Sequence, residues 1–174
     1  LSKREVIVAV IDTGVDYSHP DLSENMWINK NEIPGDMIDN DNNGYIDDIY
    51  GWDFYNNDAS VCHYVYNRLL KKYVASSADN DDHGTHIAGI IAASADNGIG
   101  IAGIAANIDV KIMALKINGG KKGTGEISNA IEAIKYATMM GADICNLSWG
   151  TGNYSAALEE AIKDSDMLFI AAAG

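Results

Sequence analysis

Two short segments carry side chains able to move a proton in a directed way. Asp12-Thr13-Gly14 ends the apolar run Val6-Ile7-Val8-Ala9-Val10-Ile11, and His83-Gly84-Thr85-His86 opens a stretch of small and apolar residues. An acid at a strand end and a histidine at a helix start supply two members of a Ser/His/Asp relay. In such a relay the acid orients the imidazole, and the imidazole takes the nucleophile's proton. A helix start also disfavours positive charge on a nearby ring, which suits a base that must begin neutral. The third member is not evident: Ser94, Ser128 and Ser148 have neither a nucleophile motif nor a base beside them, and the sequence given closes on Ala171-Ala172-Ala173-Gly174.

Other chemistries fit parts of this pattern. Asp-Thr-Gly also occurs where two carboxylates share a proton in aspartic proteases. That alternative predicts mostly antiparallel β structure, against the helical stretches at 83–95 and 126–140. A strand-terminal Asp that merely caps the next turn is the plainer structural reading. His83 and His86 could offer two nitrogens to zinc, but no further His or Cys has zinc spacing. His86 is therefore expected to be a hydrogen-bonded, partly buried histidine.

A second constellation is oxygen-rich. Asp39-Asn40-Asp41-Asn42-Asn43-Gly44-Tyr45-Ile46-Asp47-Asp48 places oxygen donors at positions 1, 3 and 5 (Asp39, Asp41, Asn43) and glycine at position 6. That is the first half of an EF-hand loop, with Tyr45 offering a backbone carbonyl at position 7. Position 12 is Tyr50 and not Glu, so the bidentate acid is expected from Asp47 or Asp48. Hard oxygen donors suit Ca2+; the alternative is a solvated acidic loop.

The elements that must hold these groups alternate in type. Strands are expected at Val6–Ile11, Ile49–Phe54, Val110–Leu115, Asp143–Leu147 and Met167–Ala173, the last buried. Helices are expected at His83–Ala95, over 126–140 with Gly141 as its stop, and at Ser155–Lys163 with Ser155 as N-cap. Residues 29–48 and 56–81 read as loops, the second carrying the basic patch Arg68-Leu69-Leu70-Lys71-Lys72. Alternating strands and helices predict an α/β fold, three-layered, with a parallel, doubly wound sheet. Catalytic groups in such sheets gather beyond the carboxyl ends of the strands, where Asp12, Ser148 and Gly174 fall.

Composition narrows the partners. The 174 residues suit one domain or part of one, and 47% hydrophobic content reads as globular. A net charge of −13 argues against nucleic acid and anionic membrane as partners. Cys62 and Cys145 make no disulfide framework, and Cys145 is expected in the core. No apolar run approaches the roughly 20 residues of a membrane span. Leu1 begins almost on the first strand with no signal peptide visible, so a processed N-terminus is expected.

Taken in order, the motifs resemble those of the subtilases, the subtilisin-like serine proteases. Residues Val8 to Leu22, VAVIDTGVDYSHPDL, are similar to the family's Asp motif, and His83-Gly84-Thr85-His86-Ile87-Ala88-Gly89 to its His motif. Ala142-Asp143-Ile144-Cys145-Asn146-Leu147-Ser148-Trp149-Gly150 is similar to its substrate-binding strand. Phe169 to Gly174 is similar to the run before its oxyanion-hole Asn. The resemblance leaves out only the loop around 59–78, where surface decoration is the expectation.

That resemblance implies a serine endopeptidase acting on polypeptides, with Asp12 and His83 as catalytic residues. Gly123-Thr124-Gly125 and Ser148-Trp149-Gly150 would flank an extended substrate by strand addition. It also implies a second calcium site from Asp21, the Asn97 side chain and the carbonyls of Ala95, Ile99 and Ile101. The family's oxyanion-hole Asn and Gly-Thr-Ser nucleophile are not in the sequence given. The 174 residues are thus expected to be the N-terminal portion of a catalytic domain, incomplete at the C-terminus and inactive alone. They are expected to associate with the missing C-terminal half or with another copy, and an inhibitory propeptide is a further candidate partner. Calcium dependence implies a secreted, extracellular or secretory-lumen location. The rival reading is a non-catalytic calcium-binding or interaction domain derived from a subtilase.

Overall fold

The computed structural model describes residues 4–75, 82–120 and 122–173. Lys121, Gly174 and the end of the 56–81 loop lie outside the described residues. In chain order the elements are β1 (Val6–Asp12), β2 (Gly51–Asp53), β3 (Tyr64–Asn67), β4 (Lys72–Ala75), α1 (Asp82–Ala92), β5 (Val110–Lys116), α2 (Ile127–Met139), β6 (Ile144–Leu147), α3 (Ala156–Lys163) and β7 (Leu168–Ala171). A single 3-10 turn, Ser23–Asn25, follows β1.

Five strands form a parallel sheet in the order β2-β5-β1-β6-β7. After β1 the chain lays down the edge strand β2, returns between the two as β5, and then crosses through α2 to add β6 and β7 on the other side. This is the doubly wound α/β arrangement predicted above.

Apolar runs become two cores because side chains alternate across a strand. On β1 and β5, Ala9, Ile11, Met113 and Leu115 join Ala133, Ile134 and Ala137 of α2. Val8, Val10, Ile112 and Ala114 point the other way and pack with Ala88 and Ala92 of α1. Helices on both faces make the three layers. Cys145 is fully buried in the α2-side core, as expected.

The caps follow the sequence. Ser155 Oγ accepts from Leu158 N at 3.3 Å at the start of α3. Gly141 adopts φ +77, and Ala142 N bonds back to Ala137 O at 2.9 Å to close α2.

Four expectations need correction. Helix α1 stops at Ala92, not Ala95. Ser94 N donates to Asp21 O, and Gly103 N to Ala93 O, so neighbouring segments claim the backbone just past the helix. The strand expected over Ile49–Phe54 shortens to Gly51–Asp53, because Asp53 turns into a bridge with Asp58. The loop at 56–81 contains an antiparallel hairpin, β3 with β4. Its Tyr64-Val65-Tyr66 and Tyr73-Val74 are good strand formers that the intervening basic turn obscured. The last strand spans Leu168–Ala171 and is not buried: Leu168 is 59% exposed and Ile170 51%. Only Phe169 of that strand packs into the α2-side core. Among the described residues no helix is long and apolar enough to cross a membrane.

Candidate active site

Strand β1 delivers Asp12 to the carboxyl end of the sheet, and α1 delivers His83 to the same point. Asp12 is 1% exposed. Its Oδ1 lies 2.7 Å from His83 Nδ1 and also accepts the Thr13 amide at 2.7 Å. The His83 side chain is 52% exposed, so one edge of the ring is anchored and the other faces outward. Among the described residues Asp12 Oδ2 is buried without a hydrogen-bond partner, and no side-chain hydroxyl hydrogen-bonds the imidazole.

The approach of α1 to β1 depends on glycine. A Cβ on Gly84 would sit 2.2 Å from Gly14 O and 3.1 Å from Asp12 Cβ. Thr13 links the two elements, since its Oγ accepts the Gly84 amide at 3.0 Å. A buried acid hydrogen-bonded to a half-exposed imidazole has the geometry to serve as the base–orienter half of a nucleophilic relay. His86 faces solvent, which corrects the expectation that it is partly buried.

The two segments expected to flank a substrate face one another. Gly123, Thr124, Gly125, Trp149 and Gly150 line one depression of about 230 Å3, with Glu126 at its rim and Ser148 one residue from it. Thr124 exchanges both backbone hydrogen bonds with Gly119, each at 3.3 Å. Gly123 N likewise donates to Gly120 O at 3.0 Å. Gly125 is required sterically: a Cβ there would lie 1.9 Å from Ile117 O.

The acidic loop folds around a residue that the motif did not include. Oxygens of Glu32, Asp39 and Asp41 lie within 4.8 Å of one another. Glu32 is buried, and its carboxylate accepts the amides of Asn40 at 2.7 Å and Asp47 at 2.9 Å. Asp47 turns its own carboxylate to the amides of Gly35 and Met37. Asp48 is fully buried and accepts from Asn29, Asn43 and Tyr136, the last at 2.5 Å. Burial pushes the Asp48 carboxyl above the usual range, against the pull of these donors. The Asn43 oxygen accepts the Tyr45 amide at 2.8 Å. Converging hard carboxylates are a donor set that fits a divalent cation of calcium type. Glu32 lies seven residues before Asp39, outside any EF-hand register, so motif spacing carries no signal for it.

At the second oxygen-rich loop, buried Asp21 accepts from Asn97 Nδ2 at 2.7 Å and from the Ile101 amide at 3.2 Å. A Cβ on Gly100 would lie 2.4 Å from Asp21 Oδ2. Asn97 thus turns its amide nitrogen toward Asp21, while its own Oδ1 accepts the Ile99 amide at 3.0 Å.

Comparison with known proteins places this geometry in a family. The profile of the subtilase family matches residues 3–174. Subtilisin-like protease 1 of Plasmodium berghei (strain Anka) is 36% identical over 157 residues, covering 90% of this chain and 23% of that protein. The major intracellular serine protease of Bacillus subtilis (strain 168) is 33% identical over 174 residues, covering 98% and 43%. Among solved structures, fervidolysin from Fervidobacterium pennivorans, a keratinolytic enzyme related to subtilisin, gives a TM-score of 0.63. It is 27% identical, with 97% of this chain and 21% of that one covered. The chain spans less than half the length of each of these relatives. With the Asp and His motifs brought together at the sheet's carboxyl end, the chain belongs to the subtilase family.

Proposed function

We propose that this chain supplies the acid and the base of a serine endopeptidase whose nucleophile lies outside the 174 residues. The observation that carries the reading is the 2.7 Å contact between Asp12 Oδ1 and His83 Nδ1, with the ring's other edge open. Asp12 keeps the proton on Nδ1, so Nε2 presents its lone pair outward. A serine hydroxyl brought there gives up its proton to Nε2 as it attacks a peptide carbonyl. Asp12 stabilises the imidazolium, which then protonates the departing amine. The substrate lies extended between Gly123-Thr124-Gly125 and Ser148-Trp149-Gly150, pairing through its backbone.

The exposed Leu168 and Ile170 support a further reading, that β7 packs against the C-terminal remainder of the same domain. Self-association of the isolated chain is the competing outcome. An inhibitory propeptide is proposed from family membership alone.

We also propose that Ca2+ is held by Glu32, Asp39 and Asp41, with Asn43 and Tyr45 nearby, and separately by Asp21 and the 95–101 loop. The ion's role is to tie long loops to the sheet; it takes no part in proton transfer. A secretory or extracellular setting follows from that calcium reading and not from kinship, since one relative is by name intracellular. Hydrolysis of a denatured protein by the full-length protein, absent from the 174-residue chain alone, tests the reading. Full-length protein that folds, binds calcium and hydrolyses nothing would favour the non-catalytic domain instead.

A further inference from the structure

Three neighbouring strands end in register on charged residues. Asp12 closes β1, Lys116 closes β5 and Asp53 closes β2, with Asp12 paired to Lys116 and Lys116 to Asp53. In-register residues of adjacent strands share a face. Here that is the α1 face, opposite to Ile11 and Leu115. Lys116 and Asp53 are both fully buried.

A buried ammonium is costly unless it is paired and hydrogen-bonded. Lys116 Nζ donates to the Thr13 carbonyl at 2.7 Å. Burial raises the Asp53 carboxyl to about 6, against the downward pull of its hydrogen bonds from Asn56 and of the Lys116 charge. Asp53 is held in place by the amides of Tyr55 and Asn56 at 2.8 and 2.9 Å.

Thr13 is the junction of the site. Its amide restrains Asp12 Oδ1 at 2.7 Å, its Oγ holds the Gly84 amide at 3.0 Å, and its carbonyl is held by Lys116. We propose that Lys116 is a positioning residue, whose buried ammonium fixes the Thr13 turn and so keeps Asp12 and the first turn of α1 aligned for the contact with His83. Lys116 bears on the relay through its hydrogen bond to the Thr13 carbonyl. It acts by removing one rotation from a peptide unit that both catalytic side chains depend on. A loosening of the site by about 1 Å is enough to cost on the order of a hundredfold in turnover.

This inference rests on the proposed peptidase reading, and the test separates the two. In the full-length protein, Lys116→Met is measured for kcat and KM on a peptide substrate, alongside the NMR signal of the His83 Nδ1 proton. The double variant Asp53→Asn/Lys116→Met carries the same measurement if the single variant folds poorly, because it leaves no carboxylate without its cation. The expected result is a fall in kcat of about a hundredfold with KM within about twofold. The Nδ1 proton signal is expected to shift upfield and broaden as its bond to Asp12 loosens. Unchanged kcat and an unchanged Nδ1 signal, with only a lower melting temperature, would overturn the proposal and leave Lys116 a structural residue. If the unsubstituted protein hydrolyses nothing, the peptidase reading fails, and the Nδ1 signal still decides whether Lys116 aligns the pair.

Discussion

Burying a carboxyl group strips its water and leaves fixed donors to set its orientation. At Asp12 those donors are the Thr13 amide and the His83 ring, both on Oδ1. Asp12→Asn keeps the shape but can turn an N–H toward His83, favouring the wrong tautomer. In the full-length protein this should lower kcat by about 10,000-fold, a magnitude typical of triad proteases as a class, with far-UV circular dichroism unchanged. Asp53 offers a second residue-level prediction. Burial raises its carboxyl from 3.8 to about 6, so over that interval the folded protein holds a proton that the unfolded chain has released. The folded state then binds more protons, and the stability contributed by this group falls as pH rises through the window. Urea titrations across it should show a shallower decline in Asp53→Asn than in the unsubstituted protein.

Elements place these residues, and close backbone contacts fix where the elements can go. Helix α1 rests on β1 through Gly84, where a methyl group would meet Gly14 O at 2.2 Å. Gly84→Ala should push the helix start outward, lengthen the contact between His83 and Asp12, and abolish hydrolysis while most of the fold survives. Proteolytic activity beside a near-native melting curve checks this. Gly51→Ala should instead unfold the edge of the sheet, since its Cβ would fall 1.9 Å from Ala114 O at a backbone φ of +126. The core elements were legible because their signals are local. Val6–Ile11 and Val110–Leu115 are unbroken apolar runs, Ser155 is a good N-cap and Gly141 a good stop. Most of what escaped depends on partners distant in sequence. The β3–β4 hairpin is the local exception, masked by its own basic turn, and α1 ends early because Asp21 and Gly103 bond the backbone just past it. Glu32 joins Asp39 and Asp41 only once the loop has folded back. Lys116 looks from sequence like an ordinary charged strand end, and only the register with Asp12 and Asp53 buries it.

At the scale of the whole molecule, long irregular segments are carried on a small parallel sheet. The acidic loop is tied to α2 through the Asp48–Tyr136 hydrogen bond, while Glu32, Asp39 and Asp41 bring their charges together at its centre. A cation bound there stabilises the fold by mass action, about 2.7 kcal/mol when free ion exceeds the dissociation constant a hundredfold. Chelation should therefore lower the melting temperature. Glu32→Gln should reduce that calcium-dependent difference more than Asp47→Asn, whose carboxylate is turned to Gly35 and Met37. On the proposed reading, activity is completed by polypeptide beyond these residues. Labelling with an active-site-directed fluorophosphonate examines that claim most directly, with the full-length protein, its His83→Ala variant and the 174-residue chain side by side. The account predicts one label per full-length molecule, on a serine outside residues 1–174, and none on the variant or the short chain. Labelling of the short chain, or equal labelling after His83→Ala, would contradict it.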